Sequence, residues 1–167
     1  AGTKFNTSVD NVDYQFVNVN DVTANSTGTE IPFNNLKIYE GTYVTVRYTV
    51  DSSDVNQRFI LTDKRSDTTT LTVKVQTSSS DSTTATYTKT SDISTLTSSS
   101  EVYFLQEVEA QKFEVYFGDG VLSKALSDGN IVILQYVVTN KSESNGASVF
   151  TSSGAIDTVT DITVTTV

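Results

Sequence analysis

From residue 42 to residue 50 the chain alternates with a period of two. Val44, Val46, Tyr48 and Val50 fall on one face, and Thr45, Arg47 and Thr49 on the other. That period belongs to a half-buried β-strand, and Val, Thr and Tyr suit a pleated surface. The pattern recurs along the chain. Tyr14, Phe16 and Val19 mark a strand over 13–19, a short strand over 37–40 ends at Gly41, and 58–61 forms another. Across 70–76, Leu71, Val73 and Val75 alternate with Thr72, Lys74 and Gln76. Residues 101–108 and 112–117 read as a hairpin joined through Glu109-Ala110-Gln111, in which Phe113, Val115 and Phe117 share one side. Residues 131–138 are apolar on both faces, which predicts a strand covered on both sides or one that meets a partner chain. Residues 161–167 alternate Ile162, Val164 and Thr166 against Thr163, Thr165 and Val167, which predicts a closing strand.

Helical periodicity is nearly missing. Only 122–126 suggests it, and one turn and a half cannot stand alone. Between 77 and 100 the chain is mostly Ser and Thr, which predicts a long surface loop holding one weak strand near 84–89. The expected class is all-β: antiparallel sheets forming sandwich-like or barrel-like modules with very little helix. The closing strand needs a partner and the early strands are unclaimed. Residues 1–50 with 145–167 are therefore expected to form an outer module, with 51–144 inserted between them.

Composition narrows the chemistry. The 167 residues hold no His, no Cys and no Met. This removes Ser-His and Cys-His nucleophiles, His-bound zinc and disulfides. A net charge of −9 argues against nucleic acid and anionic membranes as partners. No apolar run approaches the ~20 residues of a membrane-spanning helix. The missing Met, and an alternation still running at residue 167, predict a piece of a longer chain.

Few residues then remain as candidates. Gly118-Asp119-Gly120 and Asp128-Gly129 could cradle a ligand. However, their spacing matches no calcium loop and no phosphate loop. They read as structural turns, in which glycine supplies a positive φ and Asp119 bonds its own backbone. Glu101, Glu107, Glu109 and Glu114 crowd the hairpin, as a solvated or docking face would; a carboxylate-based hydrolase would need two of them in one cleft. Arg58, alone among apolar neighbours in "NQRFIL", is a candidate for a structural ion pair. Tyr103, Phe104 and Leu105 are consecutive large apolar residues, so one must face away from a single core. They and Ile133 are candidate interface residues.

Four stretches occur in a telling order. They are "NNLKIYEGTYVTVRYTVDSSDVNQRFIL", "DTTTLTVKVQ", "SEVYFLQEVEAQKFEVYFGDGVLSKALSDGNIVILQYVVTN" and "DTVTDITVTTV". In order and spacing, over about residues 30–167, they resemble the baseplate wedge proteins of T-even-like contractile-tailed phages, within the broader baseplate J-like family. The resemblance implies a structural role in the virion's tail baseplate, assembled in the host cytoplasm. Its expected partners are other wedge subunits and a second copy of the chain, in the ring around the tail hub. It implies no catalysis, no cofactor, no metal and no small-molecule substrate. The broader family often continues the Gly-Asp-Gly loop with a further glycine and a basic residue, whereas Ser123 precedes Lys124 here. The residues alone leave a second reading open, an extracellular adhesin or carbohydrate-binding β-sandwich.

Overall fold

Alternation becomes strand over most of the stretches that show it. The computed structural model describes residues 1–166, in two compact units: residues 1–43 with 137–167, and residues 44–136. The strands are β1 (Lys4–Val9), β2 (Val12–Val17), β3 (Tyr39–Glu40), β4 (Thr42–Thr49), β5 (Phe59–Ile60) and β6 (Ser66–Gln76). They continue with β7 (Thr84–Lys89), β8 (Val102–Val108), β9 (Lys112–Tyr116), β10 (Ile131–Val138) and β11 (Thr151–Ser152). Apart from two single 3-10 turns the described residues hold no helix, and 122–126 is irregular. The fold is all-β.

The first unit carries a four-stranded sheet in the order β11-β1-β2-β3. β1 and β2 form a hairpin in which Val9 faces Val12 across Asp10-Asn11. Both turn residues have positive φ, 52° and 63°, the two-residue geometry that matches strand twist, and Asp and Asn tolerate it. Val17, Val19 and Val137 form the buried cluster, packed on by Tyr39 and Tyr43. Gly41 lies against the Val137–Val138 backbone: a Cβ would collide with the Val138 carbonyl oxygen, and its φ of +124° suits only glycine.

The second unit carries a seven-stranded sheet in the order β4-β10-β6-β7-β8-β9-β5. β10 lies between β4 and β6. Val132, Leu134 and Tyr136 on it are fully buried, and on the other face so is Val137, with Ile133 buried beside it, so β10 is covered on both faces. Each fully buried apolar side chain of this size contributes about 1.5–3 kcal/mol. The sheet curls until it is nearly closed. Its end strands meet through side chains: Tyr48 Oη on β4 donates to the Ile60 carbonyl on β5 at 2.6 Å. Inside, rings meet edge to face in a chain, Tyr48 on Phe59, Phe59 on Phe117 and Phe117 on Tyr87, with centroids 5.4–5.7 Å apart. That spacing is the favoured aromatic geometry.

Several expectations change. Residues 84–89 form an interior strand, not a weak excursion in a loop. β7 pairs with β6 antiparallel and with β8 parallel, so the sheet is mixed. The Ser/Thr-rich stretch 90–101 is the crossover that a parallel pair requires. The strand expected over 58–61 shortens to Phe59–Ile60. Residues 161–166 form no strand, although Ile162 and Val164 are still partly buried in alternation; Val167 lies outside the described residues.

Candidate interaction surface

The β8–β9 hairpin resolves the crowded "VYFLQ" stretch by alternation alone. Tyr103 turns inward and is buried, and Leu105 lies opposite Val115, which is fully buried. Phe104 therefore faces outward. Its register partner is Tyr116, and the two rings stack with centroids 5.1 Å apart and planes 19° apart. Tyr116 is 41% exposed.

The next outward pair is Gln106 opposite Glu114. Gln106 Nε2 donates to Glu114 Oε2 at 3.1 Å. Arg58, just before β5, donates Nε to Glu114 Oε1 at 3.1 Å and Nη2 to Oε2 at 2.8 Å. This two-pronged grip is the geometry a guanidinium offers a carboxylate. Glu114 is buried beneath it. The Arg58 hydrogen bonds hold its carboxyl below the usual glutamate range, with Gln106 adding to them against the cost of burial. The outer face thus presents a stacked aromatic pair beside a carboxylate whose bonding is already engaged.

The glycine loop is made of turns. Asp119 Oδ1 accepts from Val121 N–H at 2.9 Å, and this and the Leu122 N–H hold the Asp119 carboxyl low. Gly120 has φ +87°, and its N–H donates to the Ser123 carbonyl at 2.9 Å. Gly118 must be glycine for a different reason: a Cβ would run into the buried Ser123 side chain. In the second turn Gly129 has φ +77° and donates to the Val50 carbonyl at 2.9 Å, and Asp128 Oδ1 accepts from Ser52 N–H at 2.9 Å. These bonds staple the β4 end to the β10 start.

The other acidic residues are scattered. Glu101 pairs with Lys124 at 2.6 Å, and Glu107 and Glu109 are exposed. Among the described residues no three acidic side chains gather as metal ligands would. Of the four interface candidates, Tyr103 and Ile133 belong to the chain's own core, while Phe104 and Leu105 are part-buried. Reading the strands singly misses Gln106 and Tyr116, which pairing the hairpin outward from its turn would have placed beside Glu114 and Phe104. It also misses Tyr48, whose hydroxyl closes the sheet.

The family described as bacteriophage baseplate wedge protein gp6, third domain, matches residues 44–162. No curated protein matches the chain. The chain belongs to that baseplate wedge family, a structural component of the phage tail baseplate.

Proposed function

We propose that this wedge-family domain is a non-catalytic building block that makes subunit contacts in the ring around the tail hub. Its partners are other wedge subunits and a second copy of the chain, assembled in the host cytoplasm. The two units act as separate modules, and the second presents the contact face. The observation that carries this reading is the outward Phe104–Tyr116 stack on a rigid strand pair. Aromatic rings held at low conformational cost are favoured anchors at interfaces. Beside it, the Arg58–Glu114–Gln106 cluster offers oriented polar groups in place of a free acid-base pair.

The test is Phe104→Asp in the full-length wedge protein. Because Phe104 faces outward, the variant should fold, losing about 0.5–1.5 kcal/mol for the stack. Assembly with the other wedge subunits should weaken by about thirtyfold or more, as expected for an anchor worth about 2 kcal/mol. Sedimentation of assembled wedges measures this, and wild-type assembly by Phe104→Asp removes the stack from the interface.

A further inference from the structure

Asparagine is chemically labile where the next main-chain nitrogen can reach its side-chain carbonyl. A following glycine helps, because it has no Cβ to shield that nitrogen or stiffen the backbone. Aspartate before glycine can react in the same way. The chain has three such places: Asp119-Gly120, Asp128-Gly129 and Asn145-Gly146. Asn145 is the one asparagine that precedes a glycine.

Hydrogen bonding separates the three. Gly120 N–H is committed to the Ser123 carbonyl and Gly129 N–H to the Val50 carbonyl, each at 2.9 Å. The carboxyls are committed too: Asp119 accepts from Val121 N–H and Asp128 from Ser52 N–H, each at 2.9 Å. In both turns nitrogen and carboxyl are held on separate partners. At 145–146 only the flanking amides are bonded. Asn145 N–H donates to the Ser142 carbonyl and Ala147 N–H to the Ser144 carbonyl, each at 3.2 Å. Gly146 N–H and the Asn145 side chain have no hydrogen-bond partner among the described residues. Both residues are exposed, and nothing lies within 4 Å of where a Cβ on Gly146 would stand. The Asn145 ψ is 135°, so attack needs a rotation about one bond, and no hydrogen bond of Gly146 N–H opposes it.

We propose that Asn145 is a self-modification site, which deamidates through Gly146 while the hydrogen bonds of the two Asp-Gly turns protect them. The Gly146 nitrogen gives its proton to hydroxide and bonds to the Asn145 side-chain carbonyl carbon. The bond from that carbon to Nδ2 breaks, and ammonia leaves with a proton from water, closing a cyclic succinimide. Water then opens either ring carbonyl. One route yields aspartate; the other yields isoaspartate, with the main chain running through the former side chain. Either product adds one negative charge to a net charge of −9, in the loop that leads into β11.

Peptide mapping by mass spectrometry tests this on the full-length wedge protein held at mildly alkaline pH. The tryptic peptide that begins at Ser142 should exchange NH for O in mass as incubation proceeds. Gly146→Ala should lose most of that conversion. Asp128→Asn supplies the control, because it puts the same dipeptide into a bonded turn of the same molecule; Asp119→Asn repeats it in the other turn. Those sites should convert more slowly than Asn145 on the order of tenfold, which corresponds to about 1.4 kcal/mol of hydrogen bonding to be opened first. In guanidinium chloride, where the turns are lost, the rates should converge. An unmodified Ser142 peptide, wild-type conversion in Gly146→Ala, or equal rates at the free and bonded sites of the folded protein overturns the proposal. A difference that persists in denaturant belongs to sequence rather than fold and overturns it as well.

Discussion

The two tight hairpins of this molecule, β1–β2 and β8–β9, turn on the same backbone conformation with opposite residue chemistry. The first places Asp10 and Asn11 at φ 52° and 63°. The second places Ala110 and Gln111 at φ 60° each, in a loop one residue longer, with the Lys112 N–H bonded back to the Glu109 carbonyl. Asp and Asn enter the left-handed region readily because their short side chains bond locally, whereas Ala and Gln have no such relief and each costs about 1–2 kcal/mol there. The second turn persists because its strands over-determine it. β9 is held on one side by five register pairs to β8 and on the other by β5. In the first hairpin, turn and strands agree; in the second, the strands dictate to the turn.

The largest test of that difference removes an anchor from each. Phe59 opposes Val115 on β9 and packs its ring on Tyr48 and Phe117, and Phe5 is buried in β1. Phe59→Ala and Phe5→Ala should each cost about 3–5 kcal/mol by urea unfolding. The strained Ala110-Gln111 turn should relax with the first but stay unaffected by the second, as read from the Lys112 amide by hydrogen exchange.

A smaller effect comes from exchanging turn chemistry. Ala110→Asn with Gln111→Gly should stabilise the chain by about 2 kcal/mol, because Asn-Gly suits two consecutive positive φ values. Asp10→Ala with Asn11→Gln should destabilise it by a similar amount, about 2 kcal/mol. A shift in urea midpoint at constant slope measures both, and equal responses of the two turns would refute the contrast.

The smallest is a pH effect confined to the second hairpin. Glu114 has a lowered folded-state pKa, chiefly from the Arg58 hydrogen bonds. Its contribution is therefore present above the ordinary glutamate range and is lost as pH falls through and below it. Glu114→Gln should flatten the acid limb of a stability curve recorded between about pH 5 and pH 2. An unchanged limb would mean that the other lowered carboxyls, such as Asp63 under Arg65, carry the acid response.

Much of this was legible from residue types. Alternation placed β4, β6, β8 and β9, because each has one apolar face, and a continuous apolar run placed β10, which is covered on both faces. The inward course of Phe113, Val115 and Phe117 follows from the same rule: Val115 is fully buried and Phe117 meets two other rings. Failures came where pairing, rather than patterning, decides. Residues 84–89 have only Ala85 and Tyr87 as apolar signal, yet β6 and β8 flank them, and long-range pairing leaves no local mark. Residues 161–166 have the pattern without a ladder, since alternation reports which side meets an apolar neighbour and not whether a strand lies alongside. At the surface, Phe104 was visible as a residue in excess. Tyr116, Gln106 and the side-chain closure by Tyr48 required the register.

The interior rings carry a practical corollary. The chain has no Trp, so its ultraviolet signature comes from 8 Tyr and 8 Phe. Four of these rings, Tyr48, Phe59, Phe117 and Tyr87, are locked in one edge-to-face series that bridges the two ends of the curled sheet. Near-ultraviolet circular dichroism of the unlabelled chain is therefore a built-in gauge of barrel closure, and Tyr48→Phe sets its zero by deleting the closing hydroxyl while keeping the ring.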